Sequence, residues 1–240
     1  MKKAALHNLG CKVNAYETEA MQHLLEEAGY EIVPFTQKAD VYVINTCSVT
    51  NMADRKSRQM LHKAKKNNPD SIVVAAGCYV QTSEKEVLND LSVDIVIGND
   101  RKHDLVRLLE EYSLDSVNDT VDDINDGKHD FEELFIDQTK EHTRAFIKVQ
   151  DGCNQFCSYC IIPYARGRVR SRKLEDVAVE ARRLAENGFQ ELVLTGINTA
   201  LYGTEENFLY PLLPSEQGRG MRGIEIIISR LNALEGDFRI

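Results

Sequence analysis

The sequence predicts an α/β protein in two units, an open parallel sheet in three layers followed by part of a (β/α) barrel. Three observations lead to this prediction. Apolar runs alternate with amphipathic helical patterns through residues 1–112, as in proteins whose helices cover both faces of a parallel sheet. A strongly acidic stretch then interrupts the alternation. The alternation of strands and helices resumes through residues 139–240, where the strands are too few to close a barrel.

The first unit, residues 1–112, is expected to alternate four strands with four helices. Short apolar runs predict the strands, and apolar residues at helical spacing with capping signals at the ends predict the helices. We expect strands at 3–7, 41–45, 71–76 and 93–97, and helices at 15–27, 50–67, 83–91 and 101–112.

The second unit, residues 139–240, is expected to hold the first strands and helices of a (β/α) barrel. An open parallel strand edge leaves backbone groups unpaired, so we expect the barrel to be incomplete within these 240 residues. We expect strands at 145–149, at 192–195 and from 238 onward, and helices at 174–186 and 224–234.

The acidic stretch joins the two units. The net charge of the chain is −9, and residues 110–137 alone hold 11 acidic side chains and one basic side chain. We interpret residues 113–138 as a solvated linker whose last apolar residues, from Phe131 to Ile136, dock against a domain. Because solvent screens charges beyond about 10 Å, the acidic total does not exclude an anionic partner.

The composition limits the class of protein. The chain is 42% apolar and 28% charged, which is ordinary for a soluble globular protein. It has no run of about 20 apolar residues that would predict a membrane span, and its N-terminus lacks the apolar core of a secretory signal. We therefore expect a cytoplasmic protein without a membrane partner, in which the six cysteines are metal ligands or catalytic groups and not disulfides.

Three cysteines lie close together in the second unit. Cys153, Cys157 and Cys160 have the spacing Cys-x-x-x-Cys-x-x-Cys and follow directly on a predicted strand. Thiolates suit iron–sulfur clusters and zinc, and a closed zinc site needs four ligands. The nearest histidines are His129 and His142. We favour a four-iron cluster with one iron left open for a small molecule, and a zinc knuckle is the alternative.

The other three cysteines are distant in sequence but share a structural position. Cys11, Cys47 and Cys78 each lie just beyond the end of a predicted strand, in HNLGC, YVINTC and VVAAGC. Ligands of an open parallel sheet gather at the carboxyl ends of its strands. We therefore expect these cysteines to converge on a second cluster, and three unrelated buried cysteines are the alternative.

Four segments together resemble one enzyme family, the radical S-adenosylmethionine (SAM) methylthiotransferases. The segments are NLGCKVNAYETEAM, VINTCSVTNMADRKSRQ, AAGCYVQ and KVQDGCNQFCSYCIIPYARGRVRSR. The resemblance covers nearly the whole chain and implies that the partial barrel begins a radical SAM domain. It also implies a transferase that attaches a methylthio group to a carbon of transfer RNA or of a ribosomal protein.

The resemblance implies two four-iron clusters with different tasks. The cluster that cleaves SAM would be bound by Cys153, Cys157 and Cys160. The auxiliary cluster, which would hold or supply sulfur, would be bound by Cys11, Cys47 and Cys78. SAM would serve both as methyl donor and as radical source. An electron donor such as flavodoxin or ferredoxin would then be a partner.

The resemblance also implies contacts with SAM outside the cysteines. Tyr159, the aromatic residue before the last cysteine, would pack near the adenine. Thr195, Gly196 and Asn198, at the end of the next barrel strand, would lie near the methionine part.

The branch of the family follows from the residues around the first cysteines. GCKVNAYETE and NTCSVTN resemble the enzymes that modify C2 of N6-threonylcarbamoyladenosine at position 37 of tRNA. The isopentenyladenosine branch usually has glutamine and methionine in place of Lys12 and Val13, and the ribosomal-protein branch usually has proline and lysine after its first cysteine. Both remain alternatives.

The length of the chain leaves an alternative of another class. Barrels of this family run beyond the present terminus, and a small RNA-binding domain normally follows them. We therefore expect that the 240 residues are not active alone, and a non-catalytic iron–sulfur-binding fragment is the alternative.

A basic segment, ARGRVRSRK, follows the second cysteine group. Arginine pairs well with phosphate, and phosphate contacts dominate affinity for RNA. We predict that Arg166, Arg168 and Arg170 contact tRNA. A solvated surface strand or a structural ion-pair site explains the same residues equally well.

Overall fold

The computed structural model describes residues 1–112, 118–127, 129–136, 144–205, 223–234 and 236–240. The strands are β1 (Lys3–Asn8), β2 (Glu31–Ile32), β3 (Val41–Thr46), β4 (Ile72–Gly77), β5 (Ile95–Ile97), β6 (Asn118–Thr120), β7 (Ala145–Asp151), β8 (Arg170–Ser171) and β9 (Leu192–Gly196). The helices are α1 (Lys12–Glu27), α2 (Asn51–Asn67), α3 (Cys78–Thr82), α4 (Glu84–Leu88), α5 (Leu105–Glu111), α6 (Ile162–Arg166), α7 (Leu174–Glu186) and α8 (Gly223–Asn232). None of the helices in the described ranges has the length and apolar character needed to cross a membrane.

The N-terminal unit is built on a six-stranded parallel sheet in the order β2-β1-β3-β4-β5-β6. Its central strand β3 is buried along its whole length, and its first four side chains are apolar on both faces. Tyr42 and Ile44 pack into the core beneath α2, whereas Val41 and Val43 pack into the core beneath α1 and α5. The sheet therefore lies between two helical layers, as the sequence predicts.

The second unit begins a (β/α) barrel. β7 and β9 are parallel neighbours, and α7 and α8 pack over them around Ile147, Val177 and Ile227. A parallel backbone bridge joins Glu191 to Arg239, where the sequence predicts the start of a further strand. These features agree with the predicted partial barrel.

The short strand β8 is a feature that the periodicity does not predict. It pairs antiparallel with the end of β7, where Arg170 lies opposite Asp151 and Ser171 lies opposite Gln150. A two-residue strand carries too few side chains for an alternating pattern to be read. Its position folds the basic segment back against the domain.

Two helices lie directly beside cysteines, one starting earlier than the sequence predicts and one that it does not predict. α1 starts at Lys12 and not at residue 15, and a helix, α3, starts at Cys78 itself. Gly77 makes the turn from β4 into α3 possible, because its φ of +98° suits glycine and a Cβ there would lie 2.5 Å from Asn45 Oδ1. Each helix therefore fixes the backbone directly beside a cysteine.

The described part of the acidic stretch is packed against the domains and not simply solvated. β6 adds a parallel strand beside β5. Farther along, Leu134 and Ile136 are buried with Tyr16 and Phe146. The alternation of burial explains this packing, since Leu134 points inward while its neighbour Glu133 is exposed. Residues 113–117, 128 and 137–143 lie outside the described ranges, and the predicted domain limits stay predictions.

Helix α1 packs against both units. On one side Met21 and Leu25 belong to the core of the six-stranded sheet. On the other, Tyr16 and Ala20 pack with Phe146 of β7. The shared helix fixes the relative position of the two sheets.

If residues near 134 anchor the acidic stretch, truncating one of them must destabilise the protein. We expect Leu134→Ala to lower the free energy of unfolding by about 2–5 kcal/mol, because it leaves a cavity in a buried cluster. Leu91→Ala is the matched control, because Leu91 is 98% exposed, and it should change the free energy by less than about 0.5 kcal/mol. Urea unfolding measures both. Equal, small effects would show that the stretch is an undocked linker.

Candidate iron–sulfur sites

The three distant cysteines meet at the carboxyl edge of the six-stranded sheet. Cys11, Cys47 and Cys78 follow β1, β3 and β4, and the register of these neighbouring strands brings their ends side by side. The backbone is close-packed here, since a Cβ on Gly10 would lie 2.8 Å from Cys47 Sγ. Only a glycine before Cys11 allows this approach.

The three thiols share one electrostatic environment. Burial raises the pKa of the Cys47 thiol, and nearby Cys78 and Cys11 raise it further, whereas a backbone hydrogen bond and Arg166 lower it. Cys47 and Cys78 are buried, while Cys11 is exposed. The arrangement places three soft ligands at one edge of the sheet, open to solvent on the side of Cys11.

Two asparagines that sequence reasoning missed flank this cysteine group. Asn14 Oδ1 lies 3.8 Å from Cys11 Sγ, and its amide donates to the backbone carbonyls of Leu9 and Thr46. Asn99 Nδ2 lies 3.7 Å from Cys78 Sγ. Asn99 follows β5 at the same edge of the sheet, so the strand-end rule that selected the cysteines could also have selected it.

A buried group of charges lies beneath the asparagines, where the two units meet. Glu17 of α1 accepts hydrogen bonds from Lys148 at 2.7 Å and from Arg166 at 2.8 Å, and Lys102 lies 3.2 Å away. Asp151 pairs with Lys148 at 2.6 Å and with Arg166 at 2.9 Å. Each of these side chains is at most 3% exposed. We call these five residues the interface charge group.

Electrostatics favours the ionised forms of Glu17 and Arg166. Burial alone would raise the pKa of Glu17, but Arg166, Lys102 and Lys148 hold it well below its usual range. For Arg166, burial alone would lower the pKa, but Asp151 and the other anionic neighbours raise the pKa above its usual range. Buried charges of this kind are tolerated only when they are paired.

The second cysteine group lies on a loop at the end of β7. The loop turns sharply at Gly152, with a φ of +70°, and Phe156 has a φ of +44°. Backbone hydrogen bonds hold it in place, from Cys153 N to Gly167 O at 3.0 Å and from Cys160 N to Cys157 O at 2.9 Å. The three thiols on this loop are partly or fully exposed, so a bound group could reach them from solvent.

The end of β9 lies beside this loop. Gly196 pairs with Gln150 of β7, and the backbone N–H of Asn198 donates to Gln150 Oε1 at 2.8 Å. The amide of Gln150 in turn donates to Gly152 O at 2.7 Å. The buried Gln150, which sequence reasoning missed, thus joins two of the residues predicted to contact SAM to the start of the cysteine loop.

Of the remaining residues predicted to contact SAM, Thr195 is buried opposite Lys148. Tyr159 is 91% exposed. A contact of Tyr159 with the adenine stays a prediction.

The basic segment departs from its predicted role at two of three positions. Arg166 is fully buried in the interface charge group, and Arg170 is 6% exposed and pairs with Asp100. Side chains held in this way cannot reach an RNA phosphate, so the predicted RNA contacts are wrong for Arg166 and Arg170, and the ion-pair alternative fits them. Arg168 is exposed, with its guanidinium 4.3 Å from the ring centre of Phe156, and remains a predicted RNA contact.

The donor set fits iron–sulfur clusters better than the alternatives. All six cysteines are free thiols. Each group offers three thiols, which would leave one iron of a four-iron cluster open, whereas a closed zinc site needs four ligands. His129 bonds to Asp100 and to two backbone carbonyls, so it is not held for a zinc knuckle. His142 lies outside the described residues.

Family models match both units. Residues 3–98 match the Uncharacterized protein family UPF0004, and residues 147–233 match the Radical SAM superfamily.

Curated relatives match almost the whole chain. The threonylcarbamoyladenosine tRNA methylthiotransferase MtaB of Bacillus subtilis (strain 168) is 43% identical, over 98% of this chain and 52% of its own length. The protein of the same name from Aquifex aeolicus (strain VF5) is 42% identical, over 98% and 57%. A tRNA-2-methylthio-N(6)-dimethylallyladenosine synthase from Thermoanaerobacter sp. (strain X514) is 34% identical, over 83% and 43%. The chain thus spans about half the length of these relatives.

A solved structure shares the fold. The radical S-adenosylmethionine methyltransferase TsrM from Kitasatospora setae superposes with a TM-score of 0.55, over 84% of this chain and 48% of that chain. At 16% sequence identity, the likeness concerns the fold alone.

The geometry of Gly152 gives a local test of the cysteine loop. A Cβ there would lie 1.9 Å from Arg168 O, whereas a Cβ on Gly188, which also has a positive φ, meets nothing within 4 Å. We expect Gly188→Ala to cost about 1–2 kcal/mol from backbone strain alone. Gly152→Ala should cost more, because the loop and the backbone at Arg168 must also move apart. Urea unfolding compares the two variants, and equal costs would mean that the loop does not pack as described.

Proposed function

This chain belongs to the radical SAM methylthiotransferase family, and we propose that it works as part of a tRNA-modifying transferase. The substrate that we propose is N6-threonylcarbamoyladenosine at position 37 of tRNA, which would receive a methylthio group at C2. The observation that carries the proposal is the convergence of Cys11, Cys47 and Cys78 on one edge of the sheet.

The choice of substrate within the family is supported by overall identity and by two residues beside Cys11. Two relatives named for threonylcarbamoyladenosine are 42% and 43% identical over 98% of the chain, and another is 35% identical over 85%. The dimethylallyladenosine synthase is 34% identical over 83%. In addition, Lys12 and Val13 stand where the isopentenyladenosine branch of the family usually has glutamine and methionine. Both comparisons favour the same substrate.

The residues of the chain would divide the work between two sites. Cys153, Cys157 and Cys160 would hold one four-iron cluster, and the cysteines at the sheet edge would hold the other. When bound, the clusters and SAM supply one-electron chemistry, the sulfur and the methyl group. The protein would supply the positions of both sites and the contacts that orient SAM, for which Gly196 and Asn198 lie beside the cysteine loop.

The partners follow from the same proposal. A tRNA would bind near the exposed Arg168, and an electron donor such as flavodoxin or ferredoxin would reduce the clusters. We place the reaction in the cytoplasm, where the tRNA substrate is found.

The proposal predicts one modified nucleoside. The reconstituted protein, extended by the barrel and C-terminal regions of a close relative, should convert N6-threonylcarbamoyladenosine in tRNA to its methylthio derivative in the presence of SAM and a reductant. Mass spectrometry of digested tRNA measures the product. Cys11→Ala should abolish the product. The control is Leu91→Ala, at an exposed site, which should retain product formation.

Two other results would contradict the proposal in different ways. Methylthiolation of isopentenyladenosine alone would place the chain in the isopentenyladenosine branch of the family. Product formation that survives Cys11→Ala would remove the sheet-edge cysteines from the reaction.

A further inference from the structure

The short helix α6 touches both cysteine sites. It begins at Ile162, two residues after Cys160, and it ends at Arg166 in the interface charge group. It packs against α3, the helix that starts at Cys78. One five-residue helix therefore connects the loop of the second unit to the sheet edge of the first.

Two specific hydrogen bonds make this connection at the last two residues of α6. Arg166 Nη2 donates to Asn14 Oδ1 at 2.6 Å, the atom that lies 3.8 Å from Cys11 Sγ. Ala165 O accepts from Asn99 Nδ2 at 2.6 Å, the atom that lies 3.7 Å from Cys78 Sγ. Two of the three sheet-edge cysteines are thus linked to α6 through one asparagine each.

The charge at this position suits an anionic group at the sheet edge. The interface charge group holds three cations, Lys102, Lys148 and Arg166, and two carboxylates, Glu17 and Asp151. Glu132 also acts on Lys148, but its hydrogen bonds go to His103. Arg166 reaches the cysteines through Asn14, and Lys102 reaches them through Asn99, to whose Oδ1 it donates at 2.7 Å. A cluster bound by three thiolates would place negative charge near both cations.

We propose that Arg166 is a positioning residue for the auxiliary cluster, and that α6 fixes this cluster relative to the radical SAM loop through Arg166–Asn14 and Ala165–Asn99. The inference rests on the proposed function, because it requires a cluster at Cys11, Cys47 and Cys78. Its consequence is electrical as well as mechanical, since net charge and hydrogen bonds near the sulfurs set the reduction potential of a cluster.

The test isolates the auxiliary site. In the full chain with Cys153, Cys157 and Cys160 replaced by alanine, reconstitution with iron and sulfide should leave about four irons per chain. Arg166→Gln should shift the midpoint potential of this cluster to a more negative value, because a nearby positive charge is lost. Arg166→Lys, which keeps the charge, should hold the midpoint potential close to that of the parent.

Arg172→Gln is the matched control. Arg172 is also fully buried and also reaches α1, where it donates to Tyr16, but no contact joins it to the residues around the cysteines within the described ranges. It should therefore cost stability while leaving the potential unchanged. Asn99→Ala supplies a second variant if Arg166→Gln does not fold, and it should also lower the potential by removing the amide beside Cys78.

The outcomes separate the inference from the proposed function. Equal potentials in the parent, Arg166→Gln and Asn99→Ala, with four irons bound, would overturn the inference and leave the proposed function standing. Equal shifts in Arg166→Gln and Arg172→Gln would also overturn it, because the effect would be a general one of weakened packing. Absence of iron from the parent would overturn both.

Discussion

The buried pairing of Arg166 with Glu17 and Asp151 is the interaction on which the arrangement of the two units depends. Each charge is costly to bury alone, and removal of one partner from such a pair typically destabilises a protein by about 3–5 kcal/mol. The carboxylate of Glu17 comes from α1, while Arg166 and Asp151 come from the second unit. The charges are therefore satisfied together in one orientation of the units, which gives the interface its specificity.

This constraint explains why both cysteine groups lie next to the interface between the two units. Asp151 comes two residues before Cys153, and Glu17 lies six residues after Cys11 on α1, whose N-terminal end is fixed at that cysteine. Arg166 closes the arrangement from α6, six residues after Cys160. The chain thus uses the same short segments to hold the thiols and to bind the units together, so that packing at the interface and geometry at the two sites are set by the same residues.

Local pattern was sufficient to predict the apolar strands, most helices and the strand-end position of the cysteines, because buried parallel strands have continuous apolar runs. It did not predict the short strands β2, β6 and β8. It was not sufficient for the interface. Arg166, Arg168 and Arg170 look alike in sequence, yet two are buried and one is exposed, and only their partners at Glu17 and Asp100 decide this. Those partners lie 70 to 149 residues away, beyond the reach of any local rule.

The central claim is that the chain holds two iron–sulfur clusters at two separate sets of cysteines, and iron counting with Mössbauer spectroscopy tests it most directly. The chain, reconstituted anaerobically with iron and sulfide, should bind about eight irons. Replacing Cys11, Cys47 and Cys78 by alanine should leave about four, all in one type of cluster. About four irons both before and after that replacement would contradict the account, because the cysteines at the sheet edge would then hold no cluster.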